Sequence, residues 1–147
     1  MDDGSSSPPG ILVVEDDPAV GRLTTTALQK ISEDVTLVET GIQALDACAK
    51  REFDVVVSDM KMPGMSGLEL LKVMETTWPG MRRILATGDR GIEIDQANTA
   101  EHIVINRLLK KPWNMAQLID AVNDELGHKI NWSDIHNATE ETNSHGN

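Results

Sequence analysis

Asp54-Val55-Val56-Val57-Ser58-Asp59-Met60-Lys61-Met62-Pro63-Gly64 is the stretch of the chain that decides the fold. Its valine run shows no alternation of polar and apolar residues, which is typical of a strand buried on both faces of a parallel sheet. Asp59 follows where such a strand leaves the core, at the carboxyl edge where open α/β sheets place their sites. An aspartate in this position can also simply cap the next turn, so the rest of the chain has to distinguish a structural role from a functional one.

Four other short segments have strand character, and helical patterns lie between them. We predict these strands over Ile11–Val14, Val35–Val38, Arg82–Thr87 and Arg107–Lys110. Strands that alternate with helices form βαβ units, which join parallel strands by right-handed crossovers. The pattern therefore predicts an α/β fold, a doubly wound five-stranded parallel sheet with helices on both faces.

Capping residues mark the helix starts. Asp17 precedes Pro18 as an N-cap, and two pairs fit capping boxes, Thr40 with Gln43 and Ser66 with Glu69. Asn114 and Gln117 can cap the last helix. Gly127 ends the last helix. The apolar residues expected on the inward faces are Val20, Leu23, Ala27 and Ile31; Ile42, Leu45 and Cys48; Leu68, Leu71, Met74 and Trp78; and Met115, Leu118, Ile119, Val122 and Leu126. A weaker pattern, with fewer apolar residues, predicts a helix around residues 92–99.

The chain of 147 residues is long enough for one domain with a substantial core. Residues 1–9 are rich in Asp, Gly, Ser and Pro, and we expect them to be disordered. The domain is predicted over 10–127. Residues 128–147 are polar and are interpreted as a tail or a truncated linker, with a turn of helix around Trp132 and Ile135.

Charge and composition argue against nucleic-acid-binding, membrane-spanning and secreted proteins. The net charge of −11 disfavours direct nucleic-acid binding, because phosphates would be repelled. No apolar run approaches the ~18 residues that a membrane span needs, and the N-terminus lacks a basic, hydrophobic signal sequence. We therefore expect a cytoplasmic protein. The single cysteine, Cys48, is predicted to be a buried, reduced thiol on the apolar side of its helix.

Polar side chains follow several of the predicted strands. Glu15 and Asp16 follow the first strand, Asp59 ends the third, Thr87 ends the fourth and Lys111 follows the fifth. In a doubly wound sheet these ends converge on one crevice. Carboxylates held close together repel one another unless a cation lies between them. Because the ligands are hard oxygens without His or Cys, Mg²⁺ is the expected ion.

The same set of residues predicts phosphoryl chemistry. Asp59 is the acid best placed to attack phosphorus, and a carboxylate nucleophile gives an acyl phosphate. The ammonium of Lys111 and the hydroxyl of Thr87, with Mg²⁺, would neutralise the oxygens of a phosphoryl group in transit. Taken singly, Thr87 and Lys111 are more often a strand-end hydroxyl and a solvated cation. Their joint occurrence in the right strand order favours a site.

The chain resembles a response-regulator receiver domain of two-component signalling, in the CheY-like superfamily. The matching pieces are Val-Val-Glu-Asp-Asp, Ser-Asp-Met-Lys-Met-Pro-Gly-Met-Ser-Gly, Ala-Thr-Gly and Lys-Lys-Pro-Trp, spread between Ile11 and Gly127. The resemblance implies a flavodoxin-like sheet of strand order 2-1-3-4-5. It also implies a cis peptide bond before Pro112, a geometry that X-Pro bonds tolerate.

The resemblance also implies a role for each site residue. Asp59 would be the phosphoacceptor, with Thr87 as the switch hydroxyl and Lys111 as the active-site lysine. Asp16 and Asp59 would bind Mg²⁺ directly, Glu15 would bind it through water, and the main-chain carbonyl of Lys61 would complete the protein ligands. The implied partner is a sensor histidine kinase or a histidine phosphotransfer protein, and a phosphorylation-dependent homodimer is compatible with the family.

Two positions depart from the family pattern. Leu108 stands three residues before the lysine, where receivers usually carry Tyr or Phe, so the usual aromatic switch is muted or carried by other residues. The second departure is Asp17, a third acid beside the acidic pair, for which capping the helix is a sufficient role. The segment from Arg107 to Trp113 also resembles the Arg-Phe-Leu-x-Lys-Pro-Trp ending of receivers joined to HD-GYP phosphodiesterases.

Three functions remain open at this point. The leading one is a phosphorylation switch that catalyses only its own phosphorylation and dephosphorylation and is not a conventional enzyme, with Lys61 and Asp89 tuning the phosphoryl lifetime. The second is a small Mg²⁺-dependent phosphohydrolase with an aspartyl nucleophile. Such enzymes of the haloacid-dehalogenase type carry a second Asp two residues after the nucleophile, where this chain has Lys61. The third is a degenerate receiver that acts only as a binding module.

Overall fold

The computed structural model describes residues 7–88, 98–99 and 102–127. The elements in chain order are β1 (Ile11–Val14), α1 (Pro18–Leu28), β2 (Val35–Val38), α2 (Gly41–Lys50), β3 (Val55–Asp59), α3 (Gly67–Thr77), β4 (Arg82–Thr87), β5 (Arg107–Lys110) and α4 (Met115–Gly127). The helix predicted around residues 92–99 lies mostly outside the described residues, and so do Asp89 and the predicted turn of helix around Trp132 and Ile135.

The five strands form one parallel sheet of order β2-β1-β3-β4-β5, which confirms the predicted topology. β3 lies at the centre, and all five of its residues are buried. The register pairs Val14 of β1 with Ser58 of β3, and Ala86 of β4 with Asp59. The carboxyl ends of these three strands are therefore level with one another.

Two apolar clusters cover the two faces of the sheet, as a doubly wound fold requires. α2 and α3 pack on one face through Ala44, Cys48, Leu68, Leu71 and Met74. α1 and α4 pack on the other face through Ala27, Leu28, Leu118, Ala121 and Val122. Alternate strand residues belong to opposite clusters: Leu12 and Val14 to the first, Ile11 and Val13 to the second.

The predicted helix caps are confirmed. The side chain of Asp17 accepts hydrogen bonds from the amides of Ala19 and Val20, at 2.9 and 3.3 Å. Complete capping boxes open α2, where Thr40 pairs with Gln43, and α3, where Ser66 pairs with Glu69. The side chains and amides of Asn114 and Gln117 exchange two hydrogen bonds of 2.8 Å before α4.

Three residues predicted on inward helix faces are exposed instead. The exposed fractions are 64% for Leu23, 66% for Ile42 and 44% for Met115. In α1 the inward stripe is Gly21, Thr24, Ala27 and Leu28. A Cβ at Gly21 would lie 3.1 Å from the side chain of Leu37, so small residues face the sheet where the helix comes close to it. The apolar pattern in the sequence therefore placed these three side chains on the wrong side of their helices.

Two charged side chains are buried in the core, which the sequence did not predict. The guanidinium of Arg83 donates to the carbonyl oxygens of Met81, Ile103 and Val104, at 2.6, 2.7 and 2.8 Å, and burial lowers its pKa. On the opposite face Glu125 accepts hydrogen bonds from Nε of Arg82 and from Nε of Arg107, each at 2.9 Å. These hydrogen bonds join the amino end of β4 to the segment before β5, and the amino ends of β4 and β5 to α4.

Candidate functional site

Three carboxylates meet at the carboxyl edge of the sheet. β1 and β3 are neighbours in register, so the residues at the end of β3 and just after β1 lie side by side. One carboxylate oxygen from each of Glu15, Asp16 and Asp59 lies within 4.8 Å of the other two. Glu15 and Asp59 are buried, whereas Asp16 is exposed. The structure therefore brings together the acidic cluster that the sequence predicted.

Lys111 follows β5, which β4 separates from β3, and its side chain reaches the acidic cluster. Its amide donates to the carbonyl oxygen of Thr87 at 2.9 Å, which extends the pairing of β4 and β5 by one residue. Its ammonium contacts Oδ1 of Asp59 in a partly buried ion pair. The following peptide bond, Lys111–Pro112, is cis, as the resemblance implied.

Thr87 occupies the predicted place at the end of β4. It follows Ala86, the residue that pairs with Asp59 across β3 and β4, and it is 2% exposed. The amide of Met60 donates to the carbonyl oxygen of Ala86 at 3.0 Å, so the backbone beyond Asp59 stays fastened to β4. Gly88, next to Thr87, has open space where a side chain would begin.

Gly67 fits against the backbone of Asp59. Its amide donates to the carbonyl oxygen of Met60 at 2.8 Å, which holds the start of α3 close to the end of β3. A Cβ at this position would lie 2.1 Å from the carbonyl oxygen of Asp59. The tight turn in between uses a positive φ of 83° at Gly64. This close contact of Gly67 with the strand backbone was not predicted from the sequence.

The electrostatics of the cluster favour a cation. Burial raises the pKa of Glu15, and the nearby charges of Asp59 and Asp16 raise it further, while the amide of Asp17 and the ammonium of Lys111 oppose the shift. When all the acids are ionised, Lys111 balances one of the three negative charges. A divalent cation would balance the other two. Hard carboxylate oxygens are ligands that Mg²⁺ prefers, so the residues present fit this ion.

Asp17 and Lys61 are close in sequence to the clustered acids. Asp17 caps α1 and is not among the three clustered acids. Its amide donates to Oε2 of Glu15 at 3.1 Å, so it helps to orient that carboxylate through the backbone. Lys61 is exposed, two residues beyond Asp59. The role of its carbonyl as a metal ligand stays a prediction.

Comparison with known proteins decides the family. The response regulator receiver domain model matches residues 11–123. This chain belongs to the receiver-domain family. The receiver match covers β1 through most of α4, and it includes all three clustered acids, Thr87 and Lys111.

Two curated relatives show how this receiver compares in length. Sporulation initiation phosphotransferase F of Bacillus subtilis is 31% identical over 121 residues, which cover 82% of this chain and 96% of that protein. The response regulator protein FleR of Pseudomonas aeruginosa is 31% identical over 116 residues, which cover 76% of this chain but 23% of FleR. The receiver thus spans nearly all of one relative and about a quarter of the other.

A solved structure gives the same fold. The signal receiver domain of an HD domain-containing protein from Pseudomonas fluorescens Pf-5 is 29% identical, with a TM-score of 0.76, over 84% of this chain and 90% of that one. In the part of the receiver that the structure describes, no helix has the length and apolar character of a membrane span.

Proposed function

We propose that this receiver accepts a phosphoryl group on Asp59, with Mg²⁺, from the phosphohistidine of a sensor histidine kinase or a histidine phosphotransfer protein. The observation that carries the proposal is the ion pair between Lys111 and Asp59 inside a cluster of three carboxylates. A strand-end aspartate that only capped a turn would need neither the ammonium nor the other acids. Membership of the receiver family supports the choice of donor.

Asp16, Asp59 and the main-chain carbonyl of Lys61 would hold Mg²⁺ directly, and Glu15 would hold it through water. The bound ion would supply positive charge to the phosphoryl oxygens and to the acids around it. Glu15 and Asp59 are buried within 4.8 Å of the exposed Asp16, so the cluster offers ligands on one side and access to solvent on the other.

The residues of the chain then have distinct roles in transfer. A carboxylate oxygen of Asp59 attacks phosphorus, the phosphorus–nitrogen bond of the donor breaks, and the histidine ring leaves as the acyl phosphate forms. Lys111, already paired with Asp59, would follow the negative charge onto the phosphoryl oxygens. Thr87 would bind another of these oxygens with its hydroxyl. The chain thus catalyses only its own phosphorylation and dephosphorylation.

A small Mg²⁺-dependent phosphohydrolase would use the same nucleophile. Haloacid-dehalogenase-type enzymes place a second Asp two residues after it as acid and base, and this chain has the exposed Lys61 there. A lysine does not supply the carboxylate that serves as acid and base in those enzymes. The position therefore favours a persistent acyl phosphate over turnover.

The test is acid-labile phosphate after incubation with acetyl phosphate and Mg²⁺. We expect one adduct per chain in the parent protein and none in Asp59→Asn. Continuous release of phosphate over many turnovers would support the hydrolase instead. If the parent protein formed no adduct with acetyl phosphate or with a phosphorylated donor domain, the chain would be a binding module.

Asp16 and Asp17 provide a matched pair for the metal site. Asp16→Asn removes a clustered carboxylate, and we expect Mg²⁺ affinity, measured by calorimetry, to fall about tenfold or more. Asp17→Asn keeps the N-cap, because Asn caps helices as well as Asp, and its affinity should stay near that of the parent. Equal losses in both variants would argue for a general charge effect and against the assigned ligands.

The extent of the unit and its output are also proposals. We propose that residues 10–127 form the phosphoacceptor unit and that 128–147 are a tail or linker. A partner of the phosphorylated form, including a second copy of the chain, would receive the signal. Leu108 is half-buried against the apolar cluster of α2 and α3, so switching would proceed without the usual aromatic side chain.

A further inference from the structure

A cavity of about 230 Å³ opens at the amino edge of the sheet, opposite to the acidic cluster. Phe53 and Met81 line it just before β3 and β4, and Cys48 and Trp78 line it from α2 and the end of α3. An apolar cavity of about 150 Å³ is enough to hold benzene. This one has room for a single aromatic ring with a small polar group attached.

Several groups around the cavity would attract a cation. α2 and α3 both end beside it, at Lys50 and Thr77, and helix C-termini carry partial negative charge on their last carbonyl groups. The carboxylate-bearing Glu52 is exposed and belongs to the lining. The lining also holds the aromatic rings of Phe53 and Trp78, whose faces attract cations.

Arg51 is the residue of the lining that would oppose a cation, and its charge is already balanced. Its Nη1 and Nη2 donate to the two carboxylate oxygens of Asp34, at 2.9 and 2.5 Å. Its Nε donates to the carbonyl oxygen of Glu52 at 3.3 Å. Its Cζ lies 4.2 Å from the centroid of the Phe53 ring, so one cation already stacks on that ring.

We propose that this cavity binds a small, flat aromatic cation, such as an aryl amidinium or a protonated aryl amine. The ring would fill the space between Cys48, Trp78 and Met81, and the cationic group would lie towards Glu52 and the helix ends. The site is separate from Asp59 and its acids, at the other edge of the sheet. It therefore goes beyond phosphoryl transfer and does not depend on it.

Three probes of the same shape test the proposal: benzamidinium, neutral benzamide and anionic benzoate. Each is titrated into the full chain, and amide and indole resonances are followed by NMR. We expect benzamidinium to shift the indole of Trp78 and the amides of Cys48 and Met81, and to bind at least about tenfold more tightly than benzamide. Benzoate should shift these resonances least.

Two substitutions and a control separate the cavity from the general acidity of the chain. Glu52→Gln should reduce the preference for benzamidinium over benzamide by about threefold or more. Glu39→Gln removes an equal charge from an exposed residue at the other edge of the sheet and should leave that preference unchanged. Cys48→Met adds bulk to the lining and should abolish binding while the rest of the spectrum keeps its folded dispersion.

Three outcomes would overturn the proposal. In one, benzoate binds as well as benzamidinium. In another, the shifts cluster around Asp59 rather than around Trp78. In the third, no probe produces saturable shifts at concentrations up to about 20 mM, where a millimolar site would be mostly filled.

Discussion

The Cα of Gly67 lies so close to Asp59 that a Cβ on it would be 2.1 Å from the Asp59 carbonyl oxygen and 2.8 Å from a methyl group of Leu85. The first neighbour is backbone in the central strand, so it cannot move aside as a flexible side chain would. The start of α3 and the end of β3 are therefore joined by direct backbone contact. Any residue larger than glycine has to displace one of them.

Gly67→Ala is accordingly expected to lower the free energy of unfolding by more than about 2 kcal/mol, because the added methyl overpacks a rigid contact. It should also slow phosphorylation by acetyl phosphate, since Asp59 is displaced. Urea denaturation and the rate of adduct formation measure the two effects. Gly127→Ala is the control, because a Cβ there has nothing within 4 Å, and its stability should change by less than about 0.5 kcal/mol. Equal stability of the two variants would contradict the close contact between Gly67 and the backbone of Asp59.

Lys111→Met tests the ion pair at the centre of the site. The substitution keeps the length of the side chain and removes the ammonium that contacts Asp59. We expect phosphorylation by acetyl phosphate to slow by at least about tenfold, which corresponds to about 1.4 kcal/mol of transition-state stabilisation. Lys110→Met removes the neighbouring exposed lysine and should leave the rate within about twofold of the parent. A rate in Lys111→Met that matches the Lys110→Met rate would remove Lys111 from the mechanism.

Substitutions of Glu125 test whether its hydrogen bonds to Arg82 and Arg107 stabilise the amino ends of β4 and β5. It is 2% exposed and accepts hydrogen bonds from Arg82 and Arg107. Glu125→Ala leaves both guanidinium groups without this partner, and we expect the free energy of unfolding to fall by about 3–5 kcal/mol. Glu125→Gln keeps an acceptor oxygen but loses the charge, so its cost should be smaller.

The control for the Glu125 variants is Asp120→Ala, because Asp120 is exposed on the same helix. We expect its free energy of unfolding to change by less than about 0.5 kcal/mol. Urea midpoints at constant m-value give the comparison. The expected order of destabilisation is Asp120→Ala, then Glu125→Gln, then Glu125→Ala. A Glu125→Ala variant as stable as the control would show that the two arginines are satisfied by other groups.

Much of the fold and of the site could be predicted because the deciding signals are local. The all-valine run of β3, the Asp17 cap and the two capping boxes each depend on neighbouring residues, and the structure confirms them. The closeness of Glu15 and Asp59 could be predicted because the carboxyl ends of parallel strands lie along the same edge of the sheet.

The features that could not be predicted depend on contacts between distant parts of the chain. Gly21 faces the sheet because α1 passes close to Leu37 of β2, and the resulting rotation of the helix exposes Leu23. Arg83 is buried because carbonyl groups some 20 residues further along the chain accept its hydrogen bonds. The residues next to Arg83 in β4 give no sign of these distant hydrogen-bond partners.

Cys48 provides a prediction with a defined pH window. It is 6% exposed, and burial raises the pKa of its thiol from the ordinary value of 9.0 to about 11. The folded chain therefore keeps this proton to higher pH than the unfolded chain does. The stabilisation linked to it is complete below about pH 9 and is lost as the pH rises towards 11.

We expect the urea midpoint of the parent protein to fall more steeply between pH 9 and 11 than that of Cys48→Ala. The two slopes can be compared directly because the chain has no tyrosine and both proteins carry the same lysines. At pH 8 the folded thiol should react with iodoacetamide at least about tenfold more slowly than the urea-unfolded thiol, since the thiolate is the reactive form. Equal slopes, together with equal alkylation rates in the folded and unfolded chains, would mean that the thiol is open to solvent and that the packing of α2 against the sheet is looser than described.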